Sequence, residues 1–441
     1  MGGLIARATI ARGSPRPPFD GVASVPFVGA GMVGFGLIVW FSAALTLSQA
    51  DLATPLSVGV AAVASLAAVI SVNASETSLR TKLMGAVPVV VMLVASTVRA
   101  LHDGPTVDVA FFLQGAADAL AHGSDPYAVV FRDLYDPSLS SRLYGPGVVE
   151  GGVLTYGFPY PPLIALTATI GGFLGDARLA GVAALAAASL MLLALARRPA
   201  GRAAAISLVC TPGVGLLLAV GWTESISILL LACVVVAVHR GHLATAAVCL
   251  GLLFVSKQYF AVLLPLLWLL RPYATPRRWL LVCAVPLVTT LPFIAWNPGR
   301  FWRSVVEWQF IQPYRPDASS LSVVVIEHFH LAPPSWLGPT ALLLGFAVAC
   351  VLAWRLPPSV ASFSLAVALS LGAMVLLSKQ AFLNYFFLVG AALLVAGWSL
   401  SEGRGSVDAV AAASIEEGTA VERRDDCAPG RSASPPPRAV G

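Results

Sequence analysis

Charge is what this sequence has least of. Only 11% of its 441 residues are charged, against about 25% in a soluble domain. By contrast 57% are hydrophobic, and the mean hydropathy is +0.82. One soluble core cannot absorb so much apolar surface, whereas a bilayer takes up about 20 apolar residues with every helix that crosses it. The composition therefore excludes a soluble globular enzyme and reads as an all-α polytopic membrane protein. Lysine is nearly missing, with Lys82, Lys257 and Lys379 the only three. The six cysteines include no CxxC and no Cys/His spacing, which excludes a disulfide framework and a zinc finger. No Walker loop and no Rossmann glycine fingerprint occurs, so neither an ATP-driven pump nor a cytosolic nucleotide-sugar domain is indicated. The net charge of +5 does not point to nucleic acid, because the basic residues are scattered between apolar runs, as in cytoplasmic loops.

Residues 1–22, with Arg7, Arg12 and Arg16, read as a cytoplasmic tail, 23–399 as the membrane domain and 400–441 as a disordered cytoplasmic tail. Apolar runs fall at 26–48, 55–73 and 82–98, then at 161–196, 203–220, 224–238, 242–256, 259–271, 278–295, 337–355, 359–377 and 382–399. The run 161–196 contains a GGFLGD break at 171–176, so 161–175 either spans or re-enters the membrane. Counted as one net crossing, it gives about twelve crossings in all. The turns with Arg197, Arg198 and Arg202, with Arg240, with Arg271, Arg277 and Arg278, and with Arg355 then face the cytoplasm.

Two long polar segments fall on the other side. Residues 102–159 carry seven carboxylates (Asp103, Asp108, Asp118, Asp125, Asp133, Asp136 and Glu150) against Arg132 and Arg142. Within them 107–122 has helical periodicity, with Val109, Phe112, Leu113, Ala116 and Leu120 on one side, and is expected to lie along the membrane surface. The second segment, 296–336, is rich in aromatics: Trp296, Phe301, Trp302, Trp308, Phe310 and Tyr314.

Polar residues at membrane depth cost about 2.5–3.5 kcal/mol each on insertion scales, so each asks for a reason. Glu224 stands in GWTES at the start of a helix, and Lys257 and Gln258 stand in SKQYF between two helices. Lys379 and Gln380 repeat that triplet in SKQAFLNYF, with Asn384 and Tyr385 following. The paired lysines suit a cationic site for a phosphate headgroup, or else they snorkel to water. Glu224 belongs to the site or answers a helix N-terminus. Asp108, at the start of the surface helix, is placed to act as a general base or, more plainly, as a first-turn charge, and Asp103 competes with it. Asp118 and Asp125 read as solvated-face and turn residues, and the i, i+2 spacing of His328 and His330 does not suit a helical metal site. Tyr156 and Tyr160 in YGFPYPPL suit the interface where prolines fix the re-entering chain.

The segments DVAFFLQGAADALAHGSDPY (108–127) and GFPYPPL (157–163) together resemble the bacterial polyprenyl-phosphate-mannose-dependent membrane mannosyltransferases of glycosyltransferase family 87. The resemblance implies a GT-C-type fold with a long catalytic extracytoplasmic loop, in the cytoplasmic membrane. It implies inverting transfer of a sugar, mannose in the best-known members, from a polyprenyl-phosphate donor to a lipid or glycan acceptor. Asp108 would be the base. Lys257, Gln258, Lys379 and Gln380 would hold the donor phosphate, and Tyr127, Tyr160, Glu224, Asn384 and Tyr385 the sugar or acceptor. No cofactor is fixed by the resemblance; a divalent metal stays open, and no metal ligand is named. The insertion 128–159 departs from the family pattern. The alternative is a secondary transporter or lipid-linked sugar flippase, although no matching halves surround the repeated SKQ. A structural envelope factor is a third reading, which predicts that Asp108 is replaceable.

Overall fold

A computed structural model describes residues 35–39, 54–74, 77–102 and 107–403. The expected tail 1–22, most of the run 26–48, Asp103 and the chain beyond 403 lie outside these residues. Helix dominates, and the named strands among the described residues form one short hairpin, β1 (Val149–Glu150) with β2 (Val153–Leu154). The helices are α1 (Thr54–Asn73), α2 (Leu79–His102), α3 (Asp108–Ala121), α4 (Pro137–Tyr144), α5 (Pro162–Phe173), α6 (Leu179–Leu195), α7 (Pro199–Cys210), α8 (Val214–Ala219), α9 (Glu224–His239) and α10 (Leu243–Phe254). A 3-10 helix (Gln258–Tyr273) follows, then α11 (Pro276–Trp296) and a helical arm α12 (298–311) with a π-helical middle at Trp302–Glu307. The chain ends in α13 (Leu321–His328), α14 (Leu337–Arg355), α15 (Val360–Leu377) and α16 (Leu383–Gly403).

Five of these helices, α2, α11, α14, α15 and α16, are long and apolar enough to cross a bilayer, and the chain is a helical, multi-pass membrane protein in that sense. The other apolar helices are shorter. With 12 residues α5 rises about 18 Å, too little to cross a core of about 30 Å unaided. The segment expected as a plain run at 259–271 is instead a 3-10 helix of 16 residues containing Pro265 and Pro272. At about 2.0 Å per residue it covers about 32 Å, as far as an α-helix of about 21 residues. The run expected as continuous at 203–220 is broken between α7 and α8, where Pro212 lacks an N–H and Gly213 adopts a left-handed φ of 90°. The last helix continues past the expected limit of 399 to Gly403.

Helix C-termini leave carbonyls without partners, and apolar surroundings offer no water to satisfy them. Basic side chains do so here. At the end of the bundle that carries the 107–161 loop, buried Arg178 donates from Nη1 to Ala219 O at 2.8 Å and from Nη2 to Ala100 O, closing α8 and α2. Asp176 holds the same guanidinium in an ion pair of 2.7 Å. At the opposite end Lys82 Nζ donates to Ala194 O at 2.6 Å, closing α6. Arg202, expected in a cytoplasmic turn, is fully buried: its Nε donates to Ser71 O at 2.7 Å and its Nη2 to Ala74 O at 2.5 Å. There Glu402 Oε1 accepts the Arg197 and Arg198 N–H groups, each at 3.1 Å, at the start of α7.

The GGFLGD break is where the loop meets the bundle. Helix α3 turns Phe112, Leu113, Ala116 and Ala117 inward and packs on α5. Gln114 Oε1, also on α3, accepts the Ala177 N–H at 3.1 Å. The first turn of α3 is thereby fixed against the helices below it, and Asp108 with it.

Candidate functional site

The two motif segments touch. Tyr127, in DPY, is held by its N–H donating to Asp125 Oδ1 at 2.9 Å. Its carbonyl lies against Gly157, where a Cβ would come within 2.1 Å of it. The Tyr127 hydroxyl donates to Tyr160 O at 3.0 Å, and Gly157 N–H donates to Ser304 Oγ in α12 at 2.9 Å. Prolines 159, 161 and 162 then carry Tyr160 to the head of α5.

Above this junction lies a cavity of about 360 Å³, walled by α3, α4, the start of α9, the loop before the 3-10 helix, α12, and the loop before α16. It brings together Asp108, Tyr160, Glu224, Lys257, Gln258, Gln380, Asn384 and Tyr385 of the sequence-predicted residues. Tyr127 and Lys379 are not among its walls. Tyr127 is fully buried, with Phe301 5.0 Å and Phe158 and Phe293 each 6.1 Å from its ring, so its part is to position Tyr160.

Asp108 stands on one wall. Tyr144 donates to its Oδ2 at 3.1 Å, and its own N–H donates to the Tyr135 hydroxyl at 3.3 Å. Burial pushes the Asp108 carboxyl above the ordinary 3.8, while the Tyr144 hydrogen bond and the charge of Arg315 pull it back. Burial and the Asp108 charge also push Tyr135 up to about 12, so it stays a neutral hydroxyl. Tyr144 comes from α4, which Asp133 holds by accepting from Ser140 Oγ and from the Tyr135 N–H at 3.1 Å. The rest of this wall is aromatic, with Tyr156 stacked on Trp308 at 3.9 Å and 19°.

The opposite wall carries the Glu224–Lys257 ion pair, 2.6 Å long and buried on both sides. The Lys257 ammonium lies 5.6 Å from the Tyr160 ring centroid. Lys257 therefore reaches the cavity with its charge already balanced.

The repeated SKQ triplets share a structural use. Gln258 Nε2 donates to Pro159 O at 2.9 Å, and Gln380 Nε2 to Pro313 O at 2.8 Å. Lys379 Nζ donates to Gln312 O and, at 3.4 Å, to Phe310 O, at the C-terminus of α12. Both triplets thus clamp the loops that roof the cavity. The 378–381 segment also accepts the Arg315 and Ser319 N–H groups on its Lys379 and Ala381 carbonyls, at 3.2 and 2.7 Å.

Sequence reasoning passes over Arg315. Its guanidinium lines the cavity, lies 4.9 Å from the Phe382 ring centroid and makes a two-bond pair with Asp317 at 2.8 and 2.7 Å. That pair uses two of its five N–H donors and leaves three for a ligand. The signal for it in the sequence is a cation between Tyr314 and Pro316 in the aromatic loop, which Arg300 and Arg303 share. Tyr135 and Tyr144 are hidden in the 128–159 insertion, and Trp308 among the loop aromatics. Those aromatics divide: Phe301 and Trp308 are buried at the junction, whereas Trp296, Trp302 and Phe310 are exposed. Among the described residues no group of three His, Cys, Asp or Glu side chains is arranged to hold a metal ion. His328 and His330 lie away from the cavity walls.

Gly157→Ala forces a backbone shift at the junction, and the expected cost is about 3 kcal/mol or more. A thermal unfolding midpoint equal to that of the unaltered chain would refute the contact. No protein-family model, curated protein or solved structure matches this chain.

Proposed function

We propose that this chain is an integral membrane glycosyltransferase with a GT-C-type arrangement of about twelve crossings. It moves a sugar, mannose as the first candidate, from a polyprenyl phosphate to a lipid or glycan acceptor outside the cytoplasmic membrane. One observation carries the reading: a cavity of about 360 Å³ beside apolar helices holds the Asp108 carboxylate and the Arg315 guanidinium together. Asp108 takes the proton of the acceptor hydroxyl as that oxygen attacks the anomeric carbon. The bond from that carbon to the phosphate oxygen breaks, and the phosphate leaves as an anion with inversion at the carbon.

The surroundings suit those roles. A carboxyl whose affinity for protons is raised by burial is a stronger base than a solvated one, and a positioned base contributes about 10²–10⁴-fold. The three unused donors of Arg315 suit the leaving phosphate, since fixed cations stabilise developing charge. Lys257 and Lys379 suit it less, the first being paired with Glu224 and the second bonded to the α12 carbonyls.

The protein reconstituted in lipid with a panel of polyprenyl-phosphate sugars and a cell-envelope lipid extract should release free polyprenyl phosphate. Release should drop about 10²-fold or more in a folded Asp108→Asn variant, and Arg315→Gln should lower kcat more than it raises KM. Undiminished release in Asp108→Asn would sink the assignment of the base, and no release from any donor would turn attention to transport. Asp108 acts ionised, so activity falls as pH drops through its pKa. Tyr144→Phe removes a hydrogen bond that lowers this pKa, so the acid limb should move to higher pH. A limb that stays in place, or moves to lower pH, would contradict the contact.

A further inference from the structure

Five buried side-chain atoms on the cavity walls have no hydrogen-bond partner: Tyr156 Oη, Thr223 Oγ1, Glu224 Oε2, Tyr259 Oη and Asn384 Oδ1. Glu224 belongs to the ion pair with Lys257, Thr223 and Tyr259 lie close to that pair in the chain, and Asn384 lines the same cavity. Thr223 and Glu224 open α9, and the Tyr259 ring lies 5.8 Å from that of Tyr385, beside Asn384. Unsatisfied buried polar atoms are rare in folded proteins, and several on residues that line one cavity suggest a missing partner.

Their chemistry narrows what that partner is. Glu224 Oε2 and Asn384 Oδ1 can only accept, and the Thr223 and Tyr259 hydroxyls can accept or donate. Lys257 places one of its three N–H donors on Glu224 Oε1 and keeps the others. A ligand hydroxyl can therefore accept from Lys257 while donating to Glu224 Oε2 or Asn384 Oδ1, and a neighbouring hydroxyl can do the same. The ion pair is neutral as a unit, so it offers nothing to balance a second charge.

We infer that Glu224, Lys257, Thr223, Tyr259 and Asn384 form a subsite for adjacent hydroxyls of an uncharged sugar ring, and that they set which sugar the protein accepts. The inference rests on the glycosyl-transfer reading for what becomes of that sugar, but binding at the subsite does not. It moves Lys257 from the phosphate to the sugar and leaves the phosphate to Arg315. A uronate would bring its carboxylate against two atoms that only accept, in surroundings of low dielectric. A deoxy sugar would leave those same atoms unpaired, which is how a polar pocket rejects an analogue lacking a hydroxyl.

The full chain in lipid nanodiscs is titrated with methyl hexopyranosides, their monodeoxy analogues and the matching methyl hexuronides. Binding is read by saturation-transfer NMR and by the fluorescence of Trp222 and Trp308, which line the same cavity. Neutral glycosides should bind, with uronides and at least one deoxy series weaker by about 10–100-fold. Thr223→Val and Tyr259→Phe each delete an unpaired hydroxyl, so their unfolding midpoints should equal or exceed that of the unaltered chain. Their affinity for the neutral glycoside should nevertheless fall by about 5–10-fold. Uronides binding as well as neutral glycosides, unchanged affinity in both variants, or no glycoside binding at all would each overturn the subsite. Polyprenyl-phosphate release that is equally fast from neutral and uronic donors would overturn it while keeping the transferase. Discriminating binding without release of any polyprenyl phosphate would keep the subsite and overturn the transferase.

Discussion

A backbone carbonyl at the end of a buried helix must find a donor, and in apolar surroundings water is not there to supply one. Much of the polar chemistry of this protein answers that need. Arg178 closes α2 and α8, Lys82 closes α6, Arg202 closes α1, and Lys379 closes α12. Gln258 and Gln380 do the same for carbonyls at Pro159 and Pro313 in the roofing loops. Once these are assigned, five of the ten buried side-chain atoms still unpaired among the described residues belong to the walls of one cavity, together with Asp108, Arg315 and the Glu224–Lys257 pair. The site is legible as the remainder after the helix ends have been satisfied.

The junction of Tyr127 and Gly157 gives that remainder its shape. Because a glycine lets two backbones approach, the loop after α3 and the segment before α5 lock face to face, and Tyr127 fixes Tyr160 through its carbonyl. Helix α3 is anchored independently through Gln114 at the GGFLGD break. Asp108 and Tyr160 therefore reach the same cavity from segments well separated in the chain, each held by its own contacts. Tyr160 stands within electrostatic range of both Asp108 and Glu224, between the wall assigned to proton transfer and the wall assigned to the sugar.

Much of this is legible in the order and spacing of the residues. The helix expected at 107–122 is α3, and the break at 171–176 does separate a short helix from a longer one. Asp108, Glu224, Gln258, Gln380, Asn384 and Tyr385 stand out as polar residues at membrane depth or loop starts, and all line the cavity. The lysines are harder. Lys257 and Lys379 look alike in sequence, since each occupies an SKQ triplet after a helix, but one is paired with a carboxylate 33 residues away and the other reaches carbonyls of α12. A repeated triplet records a repeated local geometry, and charge balance is set by what lies across the fold. Arg202 poses the same difficulty, because an arginine near a turn that caps another helix is indistinguishable in sequence from one that meets solvent.

By itself the sequence determined the solvent of this protein, the helical class, the order of its runs and the two loops that gather carboxylates and aromatics. Composition and periodicity decide these, since burying or exposing an apolar run is a property of that run alone. Only the tertiary structure decided where 203–220 breaks, that 258–273 winds as a 3-10 helix, and which cation faces the cavity. It also decided that Tyr127 supports rather than lines the cavity, and that Thr223, Glu224, Tyr259 and Asn384, each with an unpaired atom, line the same one. A hydrogen bond or an ion pair is a relation between two residues, and its second member is chosen by the fold.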